Sequence, residues 1–140
     1  MAMNISLTTA NTVVTVNGRQ INDWASDSPA IQEEPIDPKR LLVRGQGGNA
    51  VMLDRKNPGH RVTLAVNPGG ADSAYLHGLY TTGAVITYTR TQVGSLENVV
   101  ATEGVIIQEN AVGRVVTDNM GGDTYTIEFN VWESLRGGEN

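Results

Sequence analysis

Residues 61–90, RVTLAVNPGGADSAYLHGLYTTGAVITYTR, decide the fold of this chain. Val62, Leu64 and Val66 alternate with Arg61, Thr63 and Ala65, the period-2 pattern of a strand with one buried face. Asn67-Pro68-Gly69-Gly70 ends that strand, because Pro lacks an N–H for the ladder and glycine accepts a sharp turn. Asp72 or Ser73 then suits the N-cap of a helix over about residues 72–82, accepting one of its free N–H groups. Tyr75, Leu76, Leu79 and Tyr80 recur at helical spacing as one apolar stripe, and Gly83 stands where a left-handed C-cap belongs. Ile86 and Tyr88 alternate with Thr87 and Thr89 in a second strand. A helix this short has no independent stability in water. The pattern therefore predicts that it lies on a sheet through Leu76 and Leu79, with Tyr75 or Tyr80 at the margin.

The flanking residues read as that sheet. In TVVTVNGRQI (12–21), Asn17-Gly18 is the preferred two-residue turn of a hairpin. IQEEPI (31–36) reads as an edge strand, since Pro35 is tolerated at an edge, and Glu33-Glu34 there would repel unwanted pairing. Two short strands, LLVR and NAVML, flank the glycine turn GQGG and lead to DRKNPGH, so residues 42–59 read as a hairpin projecting from the body. Toward the C-terminus, VVATEGVIIQENAVGRVV is interrupted by Gly104 and Gly113, which suggests bulges. DNMGGD (118–123) makes a turn, and Tyr125, Ile127, Phe129 and Val131 then alternate with Thr124, Thr126, Glu128 and Asn130 in the last strand. Seven to nine strands with one helix imply a mainly β fold. The expected architecture is an antiparallel β-sandwich or barrel with one short flanking α-helix and a projecting β-hairpin.

At 140 residues the chain suits one domain, 1–140, with a core mostly of Val, Ile and Leu, since it has one Phe and two Trp. It contains no Cys, which excludes disulfides, thiolate metal sites and a Cys nucleophile. The N-terminus has no signal-peptide pattern and no run approaches the ~20 apolar residues of a membrane span, so a protein made in the cytoplasm is expected. The net charge of −5 argues against gripping nucleic acid through its phosphates. Residues 1–61 carry seven Lys/Arg against six Asp/Glu, whereas 62–140 carry three against nine. Such asymmetry favours attraction between identical subunits.

No residues assemble into a catalytic pattern. His60 falls in a basic loop and His77 on the helix, neither with a partner at triad or metal-ligand spacing. GADSAY lacks the nucleophile-elbow frame. GQGGNA precedes a strand, whereas a phosphate loop opens a helix. Residues 118–123 lack calcium-loop spacing. Trp24 and Trp132 read as core or interface anchors. The expectation is a protein that is not an enzyme and takes no cofactor or metal.

The order of these elements resembles tail tube proteins of contractile-tailed bacteriophages. The similarity runs over residues 11–134: TVVTVNGRQI, the acidic IQEEPID, the charged loop LVRGQGGNAVMLDRKNPG, the strand-to-helix unit VTLAVNPGGADSAYLHGLY, and the strands VVATEGVIIQ and TYTIEFNVWES. The inner tube of type VI secretion systems is a relative in shape. The resemblance implies stacked hexameric rings forming a channel for DNA ejection in a virion tail. Tail sheath, baseplate and tube-terminator proteins would be partners, and DNA would pass without specific binding. Two other readings stay open: a tube-terminating or baseplate hub protein of the same fold, and a soluble ligand-binding β-barrel.

Within the tube reading, the hairpin is expected to join successive rings. Arg44, Val51, Met52, Leu53, Arg55 and Lys56 would make the contact, the bases meeting acids such as Glu97, Glu103 or Asp118. The wet face of the last strand, Thr126, Glu128 and Asn130, would line the channel.

Overall fold

A computed structural model describes residues 12–25, 30–93, 96–110 and 122–136. Its elements are β1 (Thr12–Val16), β2 (Arg19–Ile21), β3 (Ile31–Pro35), β4 (Arg40–Arg44), β5 (Ala50–Asp54), β6 (His60–Val66), α1 (Ala71–Thr82), β7 (Ile86–Gln92), β8 (Asn98–Glu109) and β9 (Asp123–Leu135). Seven strands form one antiparallel sheet in the order β2-β1-β7-β8-β9-β6-β3, while β4 and β5 form a ribbon of their own. This is the mainly β architecture expected, with one flanking helix. The turn signals explain the local pairing. Asn17 and Gly18 both have positive φ (51° and 84°), so β1 and β2 join through the tight turn that Asn-Gly favours.

The sheet curls on itself. Between its two edge strands the chain passes along the end of β6, where Trp24 bridges Val66 and the Ala25 N–H donates to the Ala65 carbonyl. The concave side holds Val14, Val16, Ile21, Val62, Leu64, Val66, Ile86, Tyr88, Ile106, Tyr125, Ile127 and Phe129 in one core cluster. Helix α1 closes one end. Leu76 is fully buried there, Leu79 packs against the same cluster, and the Tyr75 hydroxyl donates to the Val16 carbonyl at 3.3 Å. Gly83 ends the helix at φ 69°, its N–H reaching the Leu79 carbonyl at 3.1 Å.

The helix start differs from the sequence expectation. The N-cap is Gly70 without a side-chain cap, and the helix begins at Ala71. Asp72 and Ser73 are instead buried against the sheet, because tertiary partners outcompete a local cap. The Asp72 carboxylate accepts the Asn22 and Asp23 N–H groups at 2.9 Å each and pairs with Arg19 at 3.1 Å.

The last strand also departs from simple alternation. Glu103 of β8 has φ 56°, and the buried positions of β8 switch from Val99 and Ala101 to Gly104 and Ile106 across it. On β9, opposite this bulge, Trp132 rather than Val131 turns inward: Val131 is exposed, and the Trp132 ring lies 6.1 Å from those of Tyr88 and Phe129. His60, read from sequence as a loop residue, is the first residue of β6, paired with Phe129 and Pro35. Gly113 and most of the 118–123 turn lie outside the described residues.

Candidate assembly surfaces

The interior of the curled sheet is sealed differently at its two ends. Opposite the helix, Glu33 of β3 faces inward, although sequence reading assigned the Glu33-Glu34 pair to edge repulsion. Its carboxylate accepts the Tyr88 hydroxyl at 2.6 Å and two Arg90 guanidinium N–H groups at 2.7 and 2.9 Å. Arg90 also reaches Glu97 at 3.2 Å. Burial pushes the Tyr88 hydroxyl pKa well up, and the neighbouring Glu33 charge pushes the same way. For Arg90 burial opposes the charge, yet the hydrogen bonds and charge of Glu33 win and raise its pKa. Nearby, the His60 ring stacks on Trp132 with centroids 4.4 Å apart. Burial, followed by the Arg136 charge, lowers the His60 pKa. The Glu33–Arg90 ion pair therefore bolts an edge strand to the middle of the sheet.

At the helix end, a shallow recess of about 330 Å³ is lined by Gly70, Ser73, His77, Glu109, Asp123 and Tyr125, among others. The Ser73 hydroxyl donates to Asp123 at 2.6 Å, and the Tyr125 hydroxyl donates to the Ser73 carbonyl at 3.1 Å. His77 Nδ1 meets Glu109 at 2.8 Å. No hydrogen bond joins Ser73 to His77 among the described residues, so these are two separate pairs rather than a proton relay. Burial alone would raise the Asp72 carboxyl pKa, but the N–H groups of Asp23 and Asn22 and the Arg19 guanidinium outweigh it and lower the value. No group of three or more His, Cys, Asp or Glu suited to a metal occurs among the described residues, nor does a helix long and apolar enough to cross a membrane.

The distinctive surface is the ribbon β4–β5. All ten of its strand residues are exposed, and Leu41, Leu42, Val43, Val51, Met52 and Leu53 are each 46–62% accessible. The ribbon spans Arg40–Asp54 rather than 42–59 because its ladder begins with the Arg40–Asp54 pair. Its root is tied by the Arg55 N–H to the Lys39 carbonyl at 2.7 Å and the Arg55 Nε to the Pro38 carbonyl at 3.1 Å. Gly48, at φ 90°, turns the tip. Of the residues expected here, Arg55 is thus engaged within its own chain, while the side chains of Arg44 and Lys56 make no hydrogen bond or ion pair among the described residues. Glu97 and Glu103 lie elsewhere, bonded to Arg90 and Asn130, and Asp118 falls outside the described residues.

The three polar residues of β9 have unequal surroundings. Thr126 is 8% exposed. Glu128 pairs with Arg61 at 2.7 Å, an interaction that raises the Arg61 pKa. Asn130 accepts from Asn57 and donates to Glu103, at 2.9 and 2.8 Å. The convex side around them carries Thr87, Thr91, Val100 and Val105, and Arg61 there is held by both Glu34 and Glu128.

This geometry has solved counterparts, whereas no family model and no curated sequence matches. The sheath/tube terminator of the extracellular contractile injection system PVC, in its extended state, superposes with a TM-score of 0.63 at 10% identity, covering 96% of this chain and 100% of that one. The tube-terminating cap of the anti-feeding prophage gives 0.61 at 11% identity, covering 96% and 94%. Hcp1 from Flavobacterium johnsoniae gives 0.56 at 12% identity, covering 92% and 98%. The chain shares its fold with tube-type proteins. At these identities the likeness is one of fold, over 92–96% of this chain, and no side-chain role follows from it.

Proposed function

We propose that this chain is a structural subunit of the tube of a contractile machine, assembling as stacked hexameric rings. The observation that carries the reading is the exposed apolar ribbon on a body of the tube-type fold. A solitary two-stranded ribbon is marginally stable in water, and six half-exposed aliphatic side chains are costly to leave wet. Burying the remaining half of each contributes ~1 kcal/mol per side chain, half of the transfer value for a whole Leu or Val. Repeated around a ring, that suffices to join rings.

In this reading Arg44, Val51, Met52, Leu53, Arg55 and Lys56 contact the next ring, Arg55 mainly by holding the root of the ribbon. Glu128 and Asn130 line the channel, with Thr126 beneath them. Glu128 and Glu34 hold Arg61, the cation beside them, which suits a wall that a passing polyanion slides along during DNA ejection from a phage tail. The protein would reside in the virion tail, with sheath, baseplate and terminator as partners, and it would catalyse no reaction. The terminator alternative is kept because two of the structural counterparts are terminators.

Negative-stain microscopy of the purified chain separates the readings. Filaments of uniform width support the tube subunit, single rings the terminator, and monomers a ligand-binding barrel. Reversing Arg44 and Lys56 to Glu is expected to leave the melting temperature of the subunit unchanged while shortening or abolishing filaments at low salt. Full-length filaments from that variant at all ionic strengths would remove these charges from the ring contact.

A further inference from the structure

The two faces of the β4–β5 ribbon differ in chemistry. Directly opposed residues of an antiparallel pair share a face, and the pairs are Arg40–Asp54, Leu41–Leu53, Leu42–Met52, Val43–Val51 and Arg44–Ala50. One face therefore carries Leu41, Val43, Val51 and Leu53, wholly aliphatic. The other carries Leu42 and Met52 between the Arg40–Asp54 pair and Arg44. A ribbon lying on a single surface needs one apolar face and keeps the other polar. Here every one of the six aliphatic residues is exposed, and they divide four to two between the faces. Neither face belongs to the core cluster.

We propose that the ribbon is a two-sided insert, gripped between two further copies of this chain, one against each face. The inference rests on the tube-type reading above. Charge complementarity singles out copies of the same chain as the occupants. Residues 37–61 hold six Lys/Arg against two Asp/Glu, and the rest of the chain holds four against thirteen. The acidic body also exposes aliphatic side chains of its own, including Val93 and Leu96 near Glu97. A copy thus offers both apolar and acidic surface to a basic, apolar ribbon. The uncharged face is matched to a purely apolar contact. The Leu42–Met52 face is matched to an apolar centre with an acidic rim, where Arg44 finds the partner it lacks within the subunit. A two-sided insert joins three subunits at once, so no subunit is held by a single contact.

The absence of Cys from these 140 residues allows one thiol to be placed on each face, by Val43→Cys for the aliphatic face and Leu42→Cys for the mixed one. Rates of thiol modification by a maleimide would be measured in assembled material and in dilute, disassembled protein. Both thiols are expected to react at least tenfold more slowly when assembled. A cysteine that blocks assembly at its face while leaving the melting temperature at the wild-type value reports the same contact. Protection of one thiol with the other unchanged overturns the two-sided insert and leaves a one-sided ring contact. Two unprotected thiols in well-formed filaments remove the ribbon from every contact while the tube reading stands. A wild-type chain that stays monomeric refutes the tube reading itself, and the insert with it. Protection that appears only on adding double-stranded DNA or anionic vesicles overturns the assignment of the partner.

Discussion

Replacing Gly104 by Ala tests whether the bulge of β8 and the ring of Phe129 are a single packed unit. A Cβ built on Gly104 lies 2.3 Å from both Cδ1 and Cε1 of Phe129, far inside van der Waals contact. Phe129 is 2% exposed, with the Tyr88 ring 5.8 Å and the Trp132 ring 6.1 Å away, so it has little room to swing aside. Overpacking a methyl into such a site costs ~1–3 kcal/mol. The lower entropy of Ala in the unfolded chain returns ~0.4–1 kcal/mol. The net expectation is a loss of ~1–2 kcal/mol, a few degrees of melting temperature for a domain of this size. Urea unfolding followed by tryptophan fluorescence measures it. The same substitution in a Phe129→Leu background should be close to neutral, giving a coupling of ~1–2 kcal/mol in a double-mutant cycle. A Gly104→Ala protein as stable as the wild type in both backgrounds would show that the glycine serves the backbone bend and not the ring above it.

Glu33→Gln leaves Arg90 buried without its main charged acceptor and should cost ~2–4 kcal/mol in urea unfolding, softened by Glu97; a loss below ~1 kcal/mol would mean that the pair does not hold β3. Because the folded-state pKa of His60 is lowered, its stability contribution is complete above the unfolded value near 6.5 and is lost as pH falls through the lowered folded value. His60→Phe keeps the stack on Trp132, so melting temperatures measured between pH 4 and 8 should lose this step, and an unaltered profile would assign the step elsewhere. Leu76→Ala should cost ~2–5 kcal/mol and Leu79→Ala less, since only Leu76 is completely buried; equal thermal stability of Leu76→Ala and wild type would remove α1 from the core.

Sequence alone settled what depends on near neighbours. Period-2 alternation, Asn17-Gly18, Pro35 and Gly83 each act over a few residues, and they foretold the strands, the tight hairpin, the edge strand and the helix end. Exposed aliphatics in a basic hairpin likewise pointed to the ribbon before its pairing was known. The tertiary structure decided what depends on which distant group arrives. Glu33 looked like a solvated edge charge because its partner Arg90 stands 57 residues away and meets it only after the sheet curls. Asp72 resembled a cap, but the free N–H groups of Asn22 and Asp23 arrive at its carboxylate once β2 is in place. Alternation through Val131 failed because the bulge at Glu103 on the neighbouring strand reverses the inward phase, and a one-residue reversal moves every later side chain to the other face. The two-faced character of the ribbon was hidden for the same reason. Which of Leu41, Leu42 and Val43 share a side is set by register, and register is fixed by pairing across space, not by composition along the chain.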